Sequence, residues 1–148
     1  MKVGDDMNES IIKEKSCGAI CYKIIDNKIY YLLIKQNKGH VTFPKGHVEN
    51  NENEIDTALR EIKEETNAVV EIDTNFREVS TYSPKNNVVK DVIFFVAKII
   101  EDNFNPQDEE VREVYLKSYD EAQKLLTYNR DKEILNDANI YIIKKIIK

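Results

Sequence analysis

The sequence predicts a single α/β domain in which a mixed β-sheet lies between helices. Segments rich in β-branched and aromatic residues, typical of strands, fill most of the chain up to residue 116, and one helical pattern interrupts them. Two further helical stretches follow the last strand, so helices are expected on both faces of the sheet. The chain of 148 residues has no internal repeat or linker and suits one hydrophobic core.

The first predicted strands form a β-hairpin. Residues 16–25 and 28–36 are apolar, β-branched and aromatic, and the two residues between them, Asp-Asn, are typical of a tight turn. Cys17 and Cys21 lie on one face of the first strand, too far apart along an extended chain to form a disulfide. We therefore expect two reduced thiols in the core.

A loop and then a helix follow the hairpin. Residues 37–47 contain two glycines and a proline, which predicts a loop. Residues 52–66 have a helical pattern, because apolar side chains recur at a spacing that places them on one face. The residues expected to face the core are Ile55, Ala58, Leu59 and Ile62.

The sequence then returns to strands and ends in two helices. The remaining predicted elements are strands at residues 69–72, 76–82, 88–100 and 111–116 and helices at residues 119–126 and 130–145. The strand at residues 88–100 is nearly all apolar, so we expect both of its faces to be buried. Pro84 and the pair Asn86-Asn87 mark the turn before this strand, and residues 101–109 form a polar loop after it.

The charge and hydropathy exclude several classes of protein. The 22 Lys and Arg residues against 27 Asp and Glu give a net charge of -5, which argues against a duplex DNA partner and a polybasic membrane contact. The apolar run at residues 92–97 is too short to cross a bilayer. Residues 1–12, expected to form a flexible tail, lack the pattern of a secretory signal. We expect a soluble, cytoplasmic protein that is a monomer or a weak homodimer.

Three carboxylates lie close together on the helix predicted at residues 52–66. At about 100° per residue, Glu61, Glu64 and Glu65 fall within one sector of the helix surface, where like charges repel each other unless cations lie between them. A solvent-exposed acidic face is the alternative, and spacing alone does not decide. The preceding sequence Phe-Pro-Lys-Gly-His at residues 43–47 favours a metal site, because a cationic loop beside acidic ligands suits a phosphate ester.

Residues 46–68 resemble the Nudix box, which has a Gly, a Glu six positions later and then Arg-Glu-apolar-x-Glu-Glu-x-Gly-apolar. The matching residues are Gly46, Glu52, Arg60, Glu61, Ile62, Glu64, Glu65 and Ala68. Asn67 stands where the family usually has Gly, but we expect the turn to survive because Asn tolerates a positive φ. The resemblance implies the Nudix fold, an α/β/α sandwich, and hydrolysis of a nucleoside diphosphate linked to another moiety.

The resemblance also implies the metal site. Mg²⁺, or Mn²⁺ as its substitute, would be bound by three carboxylates and one backbone carbonyl, those of Glu61, Glu64, Glu65 and Gly46. Glu61 and Glu64 would also be catalytic, one glutamate of the cluster accepting the proton of the attacking water. Arg60 would support catalysis by pairing with Glu52, which would hold loop and helix in register and orient Glu61.

Many Nudix enzymes place one more acidic residue outside the box, either to complete the metal site or to act as the base. Three glutamates before the strand at residues 111–116 are candidates for this role, Glu109, Glu110 and Glu113. We favour Glu110.

The flanking residues indicate the substrate class. The sequence at residues 43–47 resembles the asymmetric diadenosine tetraphosphate hydrolases and the related diphosphoinositol polyphosphate hydrolases. The residues expected to bind substrate are Lys45, His47, Tyr82, Lys85 and Lys90. The cations would line a polyphosphate channel and the tyrosine would stack on a base. We expect a small-molecule nucleoside polyphosphate as substrate, with diadenosine tetraphosphate cleaved to ATP and AMP.

Other functions stay open on the sequence. A nucleoside triphosphate, a diphosphoinositol phosphate or an RNA 5′ end could be the substrate instead. A Nudix domain that binds nucleotides without cleaving them is less favoured, because a pure binder does not need all three carboxylates. The last two helices could form either the rim of the active site or a dimer contact.

Overall fold

The computed structural model describes residues 11–147 and contains a seven-stranded sheet with helices on both faces. The elements in chain order are β1 Ile12–Ile25, β2 Lys28–Gln36, β3 Val41–Thr42, β4 Lys45–His47, α1 Glu54–Thr66, β5 Val69–Lys85, β6 Val88–Glu101, β7 Val111–Ser118, α2 Tyr119–Leu125 and α3 Asn129–Ile147. The predicted α/β/α sandwich is confirmed. Across this range the structure holds no helix that combines the length and apolar character needed to cross a bilayer.

The sheet is mixed, as predicted. Its order is β3-β2-β1-β6-β5, while β4 also pairs with β1 and β7 with β2. Strands β1 and β6 run parallel, and the other pairs that the structure describes are antiparallel. The β1–β2 hairpin turns at Asp26 and Asn27, whose φ angles of 51° and 66° fit a turn that needs two left-handed residues.

Strand β6 separates two apolar layers. Val92, Phe94 and Val96 belong to the layer beneath α2 and α3, while the side chains between them belong to the layer beneath α1. All six residues from 92 to 97 are buried, so the middle of the strand is covered on both faces as predicted, whereas Val89 and Ile100 near its ends are exposed. Cys17 and Cys21 lie in the layer beneath α1 as buried free thiols, as predicted.

Several strand boundaries differ from the prediction. Strand β1 begins at Ile12, which pairs with Val88, so the predicted flexible tail is wrong for that residue; residues 1–10 lie outside the described range. Strand β5 is continuous where two strands were predicted, because an irregularity between Asp73 and Arg77 shifts its register against β6 without ending the pairing. The predicted loop before α1 contains two short strands, whose pairing with β1 and β2 is long-range and has no local sequence signal.

Helix α1 buries a different face from the predicted one. Ala58 and Ile62 are buried as expected, but Ile55 and Leu59 are 38% and 39% exposed. The buried residues of the helix are Thr57, Ala58, Glu61, Ile62, Glu65 and Thr66. Positions 58, 61, 62 and 65 follow the i, i+3, i+4, i+7 spacing, so two carboxylates share the core-facing stripe. The prediction that Ile55 and Leu59 face the core is therefore wrong.

Helix α1 is capped by asparagines at both ends. The side chain of Asn53 accepts a hydrogen bond from the backbone N–H of Asp56 at the start. At the end, Asn67 has a φ of 63° and donates its N–H to the carbonyl of Lys63 at 2.8 Å. This left-handed conformation confirms that Asn67 preserves the turn where a glycine usually stands.

Candidate active site

Arg60 joins α1 to the loop that precedes it. Its Nε and Nη2 donate to the two carboxylate oxygens of Glu52, at 2.6 and 3.1 Å, and Nη2 also donates to the backbone carbonyl of His47 at 2.9 Å. The hydrogen bonds from Arg60 hold the pKa of Glu52 down at about 2 and raise the pKa of Arg60 itself. The structure thus contains the predicted Arg60–Glu52 pair, a bidentate contact that fixes the loop against the helix.

The same guanidinium reaches two of the predicted catalytic carboxylates. Nη1 of Arg60 lies 2.9 Å from Oε2 of Glu61 and 3.2 Å from Oε1 of Glu64. Glu61 is buried, whereas the side chain of Glu64 is 48% exposed. Arg60 therefore orients both side chains while leaving Glu64 open to solvent.

Three carboxylates converge beside α1. Ligand oxygens of Glu61, Glu65 and Asp108 lie within 4.8 Å of one another. Burial raises the pKa of Glu61 and raises that of Glu65 to about 8, and mutual repulsion among the acids contributes to both shifts. We call these three residues the carboxylate cluster. Because the fold holds their negative charge poorly by itself, their oxygen atoms fit a hard divalent cation.

The loop after β6 brings Asp108 to the cluster. Two backbone N–H groups of this loop, those of Asn105 and Gln107, donate to the carbonyls of Thr66 and Glu64 at 3.1 and 2.9 Å. These carbonyls belong to the last turn of α1 and have no partner within the helix. Asp108 follows directly and accepts a hydrogen bond from the N–H of the residue two positions later at 2.9 Å. The side chain of Asn67 at the helix end also donates to the carbonyl of Asn103 at 2.8 Å, so three hydrogen bonds fix the loop to the end of α1.

The glutamates predicted outside the box do not belong to the carboxylate cluster. Glu110 supplies its backbone N–H to Asp108, and Glu113 accepts a hydrogen bond from the hydroxyl of Tyr115. Glu109 contributes its carbonyl to Asn37. Of the acids in this segment, the structure brings Asp108 to the carboxylate cluster, and a role of Glu110 as base or metal ligand stays a prediction. Sequence reasoning missed Asp108, because only the anchoring of the loop to α1 separates it from the neighbouring acids.

Strand β4 carries backbone groups to the cluster. Gly46 pairs with Cys17 of β1, and a Cβ atom at this position would overlap the carboxyl group of Glu61. Glycine at this position therefore leaves the space that the carboxyl group of Glu61 occupies. The N–H of Lys45 donates to Oε1 of Glu65 at 3.0 Å. The prediction that the Gly46 carbonyl binds a metal stays a prediction, but its residue lies directly against a carboxylate of the cluster.

A cavity of about 560 Å³ shares Lys45 with this site. Tyr82 of β5 and Tyr128, which precedes α3, both line it, and their side chains are 46% and 45% exposed. The hydroxyl of Tyr128 lies 3.1 Å from Nδ1 of His40, and the two rings meet edge to face at 5.4 Å between centroids. Exposed aromatic rings in a concave site suit stacking on a flat ligand. We call this space the tyrosine cavity.

Two lysines lie near the tyrosine cavity, Lys45 in its wall and Lys90 beside Tyr82 on the neighbouring strand. Lys90 pairs with Tyr82 across β5 and β6, so their side chains share a face of the sheet. Burial lowers the pKa of Lys90, and the nearby charge of Lys45 lowers it further. An anion bound near both ammonium groups would relieve their mutual repulsion.

The other predicted substrate residues lie elsewhere. Lys85 is exposed where β5 ends before the turn to β6, and it does not line the tyrosine cavity. His47 is also exposed, and its backbone carbonyl accepts a hydrogen bond from Arg60.

Sequence reasoning missed Tyr128. The signal available in the sequence was an aromatic side chain in a short polar segment between two predicted helices. Tyr128 and the start of α3 line the cavity, so this helix forms part of its wall.

A NUDIX domain model matches residues 16–138. The chain belongs to the Nudix family. Among the similar proteins are relatives named bis(5′-nucleosyl)-tetraphosphatase [asymmetrical]. The one from Mus musculus is 29% identical over 140 residues, covering 86% of this chain and 95% of the mouse protein. The one from Caenorhabditis elegans is 35% identical over 99 residues, covering 64% of this chain and 68% of the worm protein.

Solved structures agree with this assignment. A binary complex of the C. elegans Ap4A hydrolase superimposes with a TM-score of 0.80 at 26% identity, covering 88% of this chain and 98% of the other. The NUDIX domain of Shewanella oneidensis NrtR, solved with ADP ribose, gives a TM-score of 0.75 at 14% identity over 94% of each chain, which shows the fold alone. The predicted Nudix fold is confirmed, and the protein is a Nudix hydrolase.

Proposed function

We propose that this Nudix hydrolase cleaves dinucleoside polyphosphates asymmetrically and converts diadenosine tetraphosphate to ATP and AMP. The observation that carries the proposal is the tyrosine cavity beside the carboxylate cluster, with Lys45 belonging to both. A base in the cavity would leave its phosphates next to Lys45 and Lys90, on the way to the carboxylates. The relatives named as asymmetrical tetraphosphatases support the same substrate class.

The carboxylate cluster would hold Mg²⁺, or Mn²⁺ in its place. Glu61, Glu65 and Asp108 supply the converging oxygens, and Glu64 and the carbonyl of Gly46 would be further ligands. When bound, such a cation supplies polarisation of a phosphoryl oxygen and lowers the pKa of a water molecule. In this proposal Asp108, rather than Glu110, is the acid outside the box.

The remaining roles belong to the side chains around the cluster. Glu64 is the acid open to solvent and would accept the proton of the attacking water, while Arg60 fixes its orientation. Lys45 and Lys90 would offset the charge of the polyphosphate and hold it in place. Tyr82 and Tyr128 would stack on the base and so determine which phosphorus faces the carboxylates.

The tyrosine cavity also favours the proposed substrate over one alternative, a diphosphoinositol phosphate. A diphosphoinositol phosphate has no aromatic ring, so the stacking surfaces of Tyr82 and Tyr128 would gain nothing from it. Nucleoside triphosphates and RNA 5′ ends do carry a base and remain candidates for direct comparison.

Product analysis tests the proposal. Diadenosine tetraphosphate incubated with Mg²⁺ and the enzyme should give equal amounts of AMP and ATP, and chelation of the metal should stop the reaction. Glu64→Gln should lower kcat at least about 100-fold, because the variant lacks a carboxylate to accept the proton. Lys63→Gln, an exposed change on the same helix, is the matched control and should keep wild-type turnover. Formation of two ADP molecules, or full activity of Glu64→Gln, would overturn the proposal.

A further inference from the structure

Asp131 is a buried acid in the wall of the tyrosine cavity. It lies in the first turn of α3, is 8% exposed and lines the cavity together with Tyr82 and Tyr128. Within residues 11–147 its carboxylate has no hydrogen-bond partner, and Lys45 and Arg130 act on it only through their charges. The guanidinium of Arg130 is already bound to Glu133 and to a backbone carbonyl. Asp131 therefore keeps its acceptor oxygens free.

A second polar group in the same wall also lacks a partner. The hydroxyl of Thr42 is buried without a hydrogen bond, and Thr42 lines the tyrosine cavity. Buried polar groups in folded proteins are nearly always paired, so this cavity wall calls for a ligand that completes Asp131. The ligand must present hydrogen-bond donors, because a carboxylate can only accept.

We propose that Asp131 selects the base that enters the tyrosine cavity and that it favours guanine. Guanine offers N1–H and the 2-amino group side by side, two donors that match the two oxygens of one carboxylate. Adenine offers one amino donor beside the acceptor N1, and hypoxanthine lacks the 2-amino group. The inference rests on the proposed function and adds a base preference to it.

A purely electrostatic role for Asp131 makes a different prediction. Its carboxylate could act only by holding Lys45 in place for the polyphosphate, since the two charges interact. The polyphosphate is common to all dinucleotides, so a substitution of Asp131 would then slow every substrate by the same factor. If Asp131 selects the base, its substitution instead changes the ratios of kcat/KM between the substrates.

The decisive experiment compares kcat/KM for diguanosine, diadenosine and diinosine tetraphosphates. The wild-type enzyme should favour diguanosine tetraphosphate over each of the other two by about tenfold, the worth of one charge-assisted hydrogen bond. Asp131→Asn presents one acceptor and one donor, which complements adenine, so its preference should turn toward diadenosine tetraphosphate. Asp137→Asn, the same change at an exposed position of α3, should keep the wild-type ratios. Unchanged ratios in Asp131→Asn, or an equal loss on all three substrates, would overturn the proposal.

Two further measurements, nucleotide binding and thermal melting, separate a failure of this inference from a failure of the proposed function or of folding. If the wild-type enzyme cleaves none of the three dinucleotides, the proposed function has failed. Calorimetric binding of GMP and IMP to the wild type and to Asp131→Asn then still tests the role of Asp131, because only the wild type should bind GMP more tightly than IMP. Equal discrimination between GMP and IMP by both proteins would contradict it. Burial raises the pKa of Asp131 to about 6, so Asp131→Asn removes a charge that the fold holds poorly and should melt no lower than the wild type.

Discussion

Glu65 shows how a single residue can combine a proposed metal-binding role with a cost in stability. Its carboxylate is 6% exposed and accepts a hydrogen bond from the backbone of Lys45. Burial is the largest cause that raises its pKa from 4.5 to about 8. A folded-state pKa above the unfolded value means that folding favours the protonated acid. Its contribution to stability is therefore complete below about pH 4.5 and is lost as the pH rises toward 8.

The direction of this pKa shift gives a prediction for the stability of the metal-free protein. Glu65→Gln keeps the oxygen that accepts from Lys45 but carries no charge, so it should increase the free energy of unfolding at about pH 8.5 by on the order of 2 kcal/mol. The gain should shrink as the pH falls toward about 5. Urea denaturation with a chelator present at several pH values measures it. Glu71→Gln, an exposed change in β5, is the control and should show no such trend. A gain independent of pH would contradict the buried charge.

At the scale of elements, the pair of Arg60 and Glu52 fixes the loop before α1 to the helix. The same guanidinium orients Glu61 and Glu64, so a loosened pair should disturb the carboxylates without removing any of them. Asn67 at the other end of the helix allows the chain to turn back toward β5. The position of α1 against β4 thus depends on contacts at both of its ends.

Glu52→Gln should therefore lower kcat by about tenfold, because a neutral amide no longer forms the charge-assisted, bidentate contact with Arg60. Glu49→Gln provides a close comparison, since the carboxylate of Glu49 is 3.7 Å from the same guanidinium but 67% exposed. We expect Glu49→Gln to retain wild-type kcat at saturating Mg²⁺. Steady-state kinetics of the two variants checks this. Equal rates for both would show that the pair does not position the carboxylates.

The sequence predicts the elements that are determined by residues close together in the chain. Strand alternation, the turn at Asp26 and Asn27, and the box on α1 are read from neighbouring residues, and the structure contains all of them. The missed features depend on distant contacts. Asp108 reaches the carboxylates because the preceding loop binds the end of α1, and Ile55 and Leu59 are exposed because carboxylates take their place on the buried face. Neither effect leaves a trace in local periodicity.

The tyrosine cavity was predictable only in part for the same reason. Tyr82 was singled out by its place on a strand and by the resemblance to dinucleotide hydrolases. Tyr128 and Asp131 come from the other end of the chain, and the packing of α3 against the sheet brings them to the same wall. A cavity shared by elements so distant in sequence follows from the topology and not from a motif.

At the scale of the whole molecule, the net charge of -5 is a local property. Residues 49–65 contain seven acids and two bases, so this segment alone accounts for the net charge. Two of these acids are buried in the carboxylate cluster, and Arg60 stands among several of the others. The acidic balance of the chain therefore marks the proposed metal site and does not forbid a substrate rich in phosphate.

A direct comparison of substrates tests the central claim, that the enzyme is a dinucleoside polyphosphate hydrolase. The measurement is kcat/KM with Mg²⁺ for dinucleoside tetraphosphates, nucleoside triphosphates, ADP-ribose, a diphosphoinositol phosphate and an RNA 5′ end. We expect a dinucleoside tetraphosphate to exceed each other class by at least about tenfold, because it combines a base for the tyrosine cavity with a longer phosphoanhydride chain than the other nucleotides carry. A higher kcat/KM for any of the other classes would contradict the proposed function, while the Nudix fold would stand.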